Sequence, residues 1–149
     1  MEPLLIEPAK PEDLSGLLGL YAQLHPDDPI LDQAQAATVW SRLMRSEETT
    51  VLVARSAHDV VATCTLTIVP NLTRGGRAYA IIENVVTDSA RRRRGVGRAL
   101  LEAAARRAWE AGCYKATLAT GSRREATLRF YEGAGFAPGK KIHFEASPP

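Results

Sequence analysis

The most informative stretch of this chain is Val85-Val86-Thr87-Asp88-Ser89-Ala90-Arg91-Arg92-Arg93-Arg94-Gly95-Val96-Gly97-Arg98. It begins as an apolar strand, continues as a short polar loop and ends where a helix starts at two glycines, Gly95 and Gly97. The first turn of a helix carries backbone N–H groups without partners and the positive end of the helix dipole. Glycine lets the chain approach a ligand closely. The stretch therefore predicts a site for a phosphate or pyrophosphate.

The arginines of this stretch support two interpretations. Five of them lie between positions 91 and 98, and a basic run in isolation is more typical of a solvated loop than of a binding site. The order of strand, loop, glycine and helix favours the anion site. The glycine spacing matches neither the phosphate loop of nucleotide hydrolases nor the dinucleotide-binding fingerprint, so neither of those sites is predicted.

Hydrophobic periodicity on either side of this stretch predicts the remaining elements. Upstream we expect a strand over 4–7, a helix that opens at 11–14 and ends before 25, a second helix over 34–45, a hairpin of strands over 49–55 and 60–69, and an apolar strand over 79–87 that is central in its sheet. Downstream we expect a helix over 95–111, a strand over 114–120, a short helix over 124–132 and a final strand pair over 136–146.

The order of these elements predicts an α/β fold. Antiparallel strands followed by one strand–helix–strand crossover make a mixed, mostly antiparallel sheet, which we expect to have six to seven strands and about four helices. The 149 residues suit one domain. We expect that domain over 1–146, with 147–149 as a loose C-terminal tail.

Composition excludes several classes of protein. The 19 Lys and Arg residues against 17 Asp and Glu give a net charge of only +2, which argues against nucleic acid as a partner. No apolar run approaches the ~18 residues that span a bilayer, and the first residues lack the segments of a secretion signal, so we expect a cytoplasmic protein with no membrane partner. Cys64 and Cys113 are far apart and lack metal-ligand spacing, so neither a disulfide scaffold nor a metal site is predicted.

Three motifs resemble the GNAT superfamily of acyl-CoA-dependent N-acyltransferases. Arg92-x-x-Gly95-x-Gly97 is similar to the family signature of Arg or Gln, two residues, Gly, one residue, and Gly or Ala. Phe130-Tyr131-Glu132-Gly133-Ala134-Gly135-Phe136 resembles the end of the family's fourth helix, and residues 6–14 resemble its first strand and helix. One position departs from the pattern, because the family often has Asn eight residues before that tyrosine and this chain has Arg123.

The resemblance implies the GNAT fold and acetyl-CoA as the cosubstrate. The last residues of the strand over 79–87 would offer backbone groups to the pantetheine arm, and the amides of 92–98 would hold the pyrophosphate. Side chains of Arg91, Arg93 and Arg98 could neutralise that pyrophosphate or the 3′-phosphate. The expected cofactor-binding residues are Val85, Val86, Thr87, Arg92, Arg93, Arg94, Gly95, Val96, Gly97, Arg98 and Phe130.

In the reaction that the resemblance implies, an amine attacks the thioester directly. The amine must lose a proton, the oxyanion needs a donor and the leaving thiolate needs a proton. Tyr131 resembles the family's general acid, since a phenol with a pKa of about 10 stays protonated at neutral pH; the alternative is a core aromatic. Glu83 lies inside an apolar strand, where a partly desolvated carboxylate either accepts the amine proton through water or is structural. The oxyanion donor is expected among the N–H groups near Val85 or Val86.

The acceptor is expected to be a primary amine of a small molecule or a peptide, although the sequence names no particular one. His25, Asp27, Asp28 and Asp32 lie in the connection that commonly walls the acceptor site in the family, and its carboxylates would favour a cationic amine; a solvated turn is the alternative. The alternative function is a noncatalytic CoA-binding or regulatory module of the same fold. A homodimer is expected from exposed strand edges and from family habit.

Overall fold

The computed structural model describes residues 3–149. These residues form five strands and five helices, with 3-10 turns at Pro11–Asp13 and Ser89–Arg91. The strands are β1 (Leu4–Pro8), β2 (Thr49–Ser56), β3 (Asp59–Val69), β4 (Tyr79–Thr87) and β5 (Ala116–Thr117). The helices are α1 (Leu14–Leu24), α2 (Gln33–Arg45), the single turn α3 (Thr73–Gly76), α4 (Val96–Glu110) and α5 (Glu125–Gly133).

The strands form one mixed sheet in the order β1-β2-β3-β4-β5. The first three neighbouring pairs are antiparallel, and β4 and β5 are parallel. The parallel pair is joined through α4, because parallel neighbours need a crossover connection. The predicted mixed, mostly antiparallel α/β sheet is confirmed.

Helices pack on both faces of this sheet and make two apolar clusters. On one face α4 buries Leu100 and Leu101 against Leu52, Cys64 and Ile82 of the strands. The opposite face carries α1 and α2, and its cluster contains Leu17, Trp40, Val51 and Val53. Side chains alternate between the faces of a strand, so one strand supplies both clusters. Helices of both layers therefore pack against the sheet that contains β4.

The predicted number of strands is wrong. Residues 136–149 contain no helix or strand, and Ile142 and Phe144 are 80% and 88% exposed. The predicted strand over 114–120 is reduced to Ala116 and Thr117, which pair with Ala80 and Ile81. A strand exists only where a neighbour completes its hydrogen bonds, and a two-residue β5 offers no edge along which further strands could continue the sheet.

The strand over 79–87 has the predicted bounds but not the predicted central position. The middle strand of the five is β3, and β4 is its neighbour. Helices α1 and α4 both pack against β4, so the expected cover on two faces is present. Ala80 and Ile82 are buried, whereas Tyr79 and Ile81 are half-buried. The continuous apolar run therefore marks an internal strand with one less protected face.

A buried ion pair joins the start of α1 to the sheet. The Arg55 guanidinium of β2 binds both carboxylate oxygens of Asp13, at 3.0 and 2.8 Å, and also contacts Glu7 at 3.1 Å. The Lys10 amide donates to the same Asp13 carboxylate at 2.7 Å. Hydrogen bonding to Arg55 is the main reason that the pKa of Asp13 lies below its usual value.

We expect Asp13→Asn to lower the free energy of unfolding at pH 7 by about 2 kcal/mol, because it removes the bidentate one of the two carboxylates that pair with a mostly buried guanidinium. A carboxyl whose pKa is lowered by folding stabilises the protein above its unfolded-state pKa of about 3.9, and that stabilisation is lost as pH falls through the folded-state pKa. Urea unfolding at pH 7 and pH 3 measures both effects. Glu12→Gln, at an exposed neighbouring position, is the control. Equal midpoints for Asp13→Asn and the control at pH 7 would refute the stabilising role.

Both cysteines are buried and free. Burial raises the pKa of the Cys64 thiol to about 12 and raises that of Cys113 as well. They act as small apolar side chains, as the sequence predicts, although Cys113 follows α4 rather than lying within an element. None of the helices within residues 3–149 has the length and apolar character that a membrane span requires.

Candidate functional site

The loop between β4 and α4 is attached to the sheet at its first residues. The Asp88 amide donates to the Val61 carbonyl of β3 at 2.8 Å, and the Asp88 carboxylate accepts from the Ala90 amide at 3.4 Å. The Arg91 guanidinium donates to the Ser56 hydroxyl of β2 at 3.3 Å. The loop therefore leaves the sheet from a defined position.

The loop then reaches α4 through left-handed backbone conformations. Arg93 and Gly95 have φ values of 65° and 78°. No side chain caps the helix, and within the described part of the chain the amides of residues 95–98 donate no hydrogen bond. Unpaired amides at a helix start are donors for water or for an anion. This end of α4 therefore fits a phosphate group.

Beside this helix end, one edge of β4 is open. β4 pairs with β3 over its whole length but with β5 only at Ala80 and Ile81. Asn84 has a φ of 53°, and the pairing with β3 shifts by one residue at this point, which is a β-bulge. Among residues 3–149 no strand pairs with the other edge of β4 over 82–87. The backbone of this segment is available to an extended ligand.

Gly97 lies where three elements meet. A Cβ atom at this position would lie 3.0 and 3.2 Å from the Phe130 ring of α5 and 3.1 Å from the Thr87 hydroxyl at the end of β4. The sequence indicated that this glycine admits a ligand, whereas the structure shows that its missing side chain admits Phe130 and Thr87. Gly97 thus joins the end of β4, the start of α4 and α5 in close contact.

A family model described as the Acetyltransferase (GNAT) family matches residues 17–136. The chain belongs to the GNAT acetyltransferase family. It is 35% identical over 124 residues to a glucosamine 6-phosphate N-acetyltransferase of Trypanosoma brucei brucei. The aligned residues cover 83% of this chain and 82% of that protein.

Two solved structures place this GNAT acetyltransferase among its relatives. A protein from Agrobacterium tumefaciens str. C58 is 44% identical, with a TM-score of 0.92 over 97% of this chain and 99% of that chain. An aminoglycoside N-acetyltransferase solved in complex with CoA shares the fold at 17% identity, with a TM-score of 0.81 over 99% of this chain and 96% of that chain.

Tyr131 lies in α5 of this acetyltransferase, next to the residue that packs on Gly97. Its ring is tilted against the Phe130 ring, with 5.1 Å between the centroids, and packs at the border of the α4-side cluster. The side chain is half-buried, and this burial raises the pKa of its hydroxyl against a smaller opposing effect of Thr120. The hydroxyl therefore carries its proton at neutral pH.

The environment of Glu83 in this acetyltransferase differs from the predicted one. Its side chain is exposed, so the partial desolvation expected from the apolar strand is wrong. Alternation places it on the face of Tyr79 and Ile81, which the helices cover incompletely, and Thr65 of β3 lies directly opposite. The next residue, Asn84, forms the bulge. Glu83 is thus a solvent-accessible carboxylate where β4 begins its irregular segment.

The structure assigns different contacts to the arginines. Arg92 donates to the Thr87 carbonyl at 3.3 Å, which like the Arg91 contact fastens the loop. Arg98 is exposed and pairs with Glu102 at 2.8 Å. Arg93 and Arg94 are exposed and make no hydrogen bond or ion pair within residues 3–149. These two are the side chains that remain available to a phosphate without losing a contact.

The aspartates in the connection between α1 and α2 differ in their contacts. Asp32 caps α2 by accepting from the amides of Ala34 and Gln35 at 3.1 and 3.2 Å, so its carboxylate serves the helix. Asp27 and Asp28 are exposed. In the part of the chain that the structure describes, no group of three His, Cys, Asp or Glu side chains has a geometry that could hold a metal ion.

Among the clefts that residues 3–149 form, two lie away from this site. One of about 640 Å3 is bounded by Glu47, Glu48 and the segment around Leu72, and another of about 340 Å3 lies between α4 and residues 134–137. Neither is lined by residues 83–98. The candidate site is an exposed strand edge with a helix end.

Proposed function

We propose that this GNAT acetyltransferase transfers an acetyl group from acetyl-CoA to a primary amine of a small molecule or a peptide. One observation carries the proposal: among residues 3–149, the edge of β4 that has no partner over 82–87 is joined by the loop 88–95 to the amides at the start of α4, which donate no hydrogen bond. An extended amide-containing arm pairs with a strand edge, and a pyrophosphate binds at a helix N-terminus. CoA carries both groups in one molecule.

The chain offers residues for each part of this ligand. The backbone of Val85, Val86 and Thr87 would hold the pantetheine arm, and the amides over 92–98 would hold the pyrophosphate. The free side chains of Arg93 and Arg94 supply positive charge beside those amides. The Phe130 ring packs against Gly97, and its direct contact with the cosubstrate stays a prediction.

Acetyl-CoA, when bound, supplies a thioester whose carbonyl an amine attacks. We propose that the Tyr131 hydroxyl donates its proton to the leaving sulfur, which is consistent with a pKa raised by burial. A backbone N–H near Val85 or Val86 is the proposed donor to the oxyanion. Glu83 is accessible to water and is the proposed acceptor of the amine proton through a water molecule.

Glu83→Gln is expected to lower kcat about 10-fold at neutral pH and to leave the Kd for acetyl-CoA unchanged, because the amide cannot accept a proton. Steady-state assays across pH and calorimetry with acetyl-CoA measure the two quantities. Glu110→Gln, at the exposed end of α4, is the control. Unchanged kcat in Glu83→Gln at every pH would remove Glu83 from the mechanism.

Acetyl-CoA at 100 times its Kd is expected to raise the Tm by about 8 °C, since a ligand that binds only the folded state stabilises it by ~2.7 kcal/mol. A thermal-shift titration with acetyl-CoA, and with adenosine as the control, measures this. The absence of a shift at millimolar acetyl-CoA would refute the proposal.

A panel of primary amines, read by release of free CoA, tests turnover. Glucosamine 6-phosphate belongs in the panel because the Trypanosoma brucei brucei relative is named for it, together with aminoglycosides, polyamines and peptide N-termini. Release of free CoA with one class of amine supports the proposed acetyltransferase activity and identifies the acceptor. A Tm shift without release across the panel would instead support the noncatalytic CoA-binding module.

Three further expectations stay predictions. We propose that the acetyltransferase domain occupies 1–146 with 147–149 as a tail; residues 1 and 2 lie outside the described residues. Cytoplasmic location is testable by cell fractionation, and the homodimer by sedimentation across a concentration series.

A further inference from the structure

Gln23, in the last turn of α1, contacts the loop that precedes α4. Its side-chain carbonyl accepts from the Ser89 amide at 2.9 Å, and its side-chain N–H2 donates to the Asp88 carboxylate at 3.2 Å. The two partners are adjacent residues 65 and 66 positions away in the chain. One amide side chain therefore binds both the backbone and the side chain of the same turn.

These contacts complete the attachment of the turn Ser89–Arg91. The Asp88 amide is bound to β3 and the Arg91 guanidinium to β2, and both attachments come from the sheet. Gln23 adds two contacts from the helical layer on the opposite side of the sheet. The residues that follow this turn include the left-handed Arg93 and Gly95 and the unpaired amides of α4.

We propose that Gln23 is a positioning residue for acetyl-CoA: it holds the turn Ser89–Arg91 so that the amides after it are arranged for the pyrophosphate before the ligand arrives. The inference rests on the proposed function. Gln23 does not reach the amides of α4 itself and acts through Asp88 and Ser89.

The contacts of Gln23 affect when the loop becomes ordered. A loop that is ordered only on binding loses conformational freedom at that moment, which weakens binding without changing the bound complex. Loss of the Gln23 contacts should therefore raise the Kd and KM for acetyl-CoA and leave kcat at saturation unchanged. Gln23 also lies two residues before His25, the C-cap of α1, so its contacts join the end of α1 to the loop between β4 and α4.

The test compares Gln23→Met with Gln35→Met, an equal substitution at an exposed position of α2 whose side chain makes no hydrogen bond within residues 3–149. Gln23 is itself exposed, so both variants should fold with the Tm of the wild type. We expect the Kd for acetyl-CoA by calorimetry, and its KM, to rise about 3- to 10-fold in Gln23→Met, corresponding to the loss of one or two hydrogen bonds. We expect kcat to stay within twofold, and hydrogen exchange at residues 89–98 of the ligand-free protein to become faster.

A second variant, Gln23→Glu, retains an oxygen for the Ser89 amide but places a carboxylate against Asp88. Repulsion should raise the Kd at least as much as in Gln23→Met. If the wild type binds acetyl-CoA and both Gln23 variants bind it with the same Kd, the positioning role alone is overturned. Failure of the wild type to bind acetyl-CoA would overturn the proposed function and this inference with it. A fall in kcat with an unchanged KM would also overturn the positioning role.

Discussion

Tyr131→Phe is expected to lower kcat about 100-fold, equivalent to ~2.7 kcal/mol of transition-state stabilisation, and to leave the Kd for acetyl-CoA within twofold of wild type. Binding should be retained because the substitution changes only one atom of the side chain. The substitution removes one hydroxyl from a half-buried ring and retains its packing beside Phe130. An acid that acts only on the leaving sulfur contributes to turnover and little to binding of the ligand.

Rapid-quench or steady-state assays with the best amine of the panel measure kcat, and calorimetry measures the Kd. Tyr114→Phe is the matched control, since Tyr114 is half-buried and packs against Tyr79 where β4 begins, away from the loop. Equal kcat in Tyr131→Phe and wild type would show that Tyr131 is a core aromatic. A matching rise in the Kd would assign it to binding instead.

Gly97→Ala is expected to lower the free energy of unfolding by about 1–3 kcal/mol and to weaken acetyl-CoA binding about 10-fold, or ~1.4 kcal/mol. The added methyl group would meet the Phe130 ring at 3.0 Å and the Thr87 hydroxyl at 3.1 Å. One of these side chains must give way, and both lie where the end of β4 and α5 pack against the start of α4.

Urea unfolding and calorimetry with acetyl-CoA measure the two losses. Gly19→Ala is the control, because within residues 3–149 no atom beyond its chain neighbours and its own helix backbone lies within 4 Å of a Cβ built at that exposed position. Alanine there should stabilise α1 by about 0.5–1 kcal/mol. Combining Gly97→Ala with Phe130→Leu should restore part of the stability, as expected for coupled neighbours. An unchanged unfolding midpoint for Gly97→Ala would contradict the packing role.

The elements predicted correctly are those whose signal is local. The strand over 79–87 has its predicted bounds because its apolar run is continuous, and the helix after Gly95 begins where the glycines and the polar loop indicate. The strand pair predicted over 136–146 is wrong because a strand needs a neighbour, and the length of β5 cannot be read from residues 136–146 themselves.

The site was predicted where it depends on neighbouring residues and missed where it depends on distant ones. The unpaired amides after Arg94 follow from the local motif. The exposure of Glu83 depends on how far α1 covers β4, and an apolar strand does not reveal that. The contacts of Gln23 join residues 65 and 66 positions apart, and no spacing within α1 indicates them.

The bulge at Asn84 also bears on how two copies of the chain can meet. A regular open strand edge is a template on which a second sheet can extend itself. Here the left-handed Asn84 interrupts the alternation of β4, and the exposed charge of Glu83 lies beside it. Such an edge can accommodate a short flexible arm but cannot align with a long straight strand. A dimer of this chain should therefore assemble through another surface and leave the β4 edge free in both subunits.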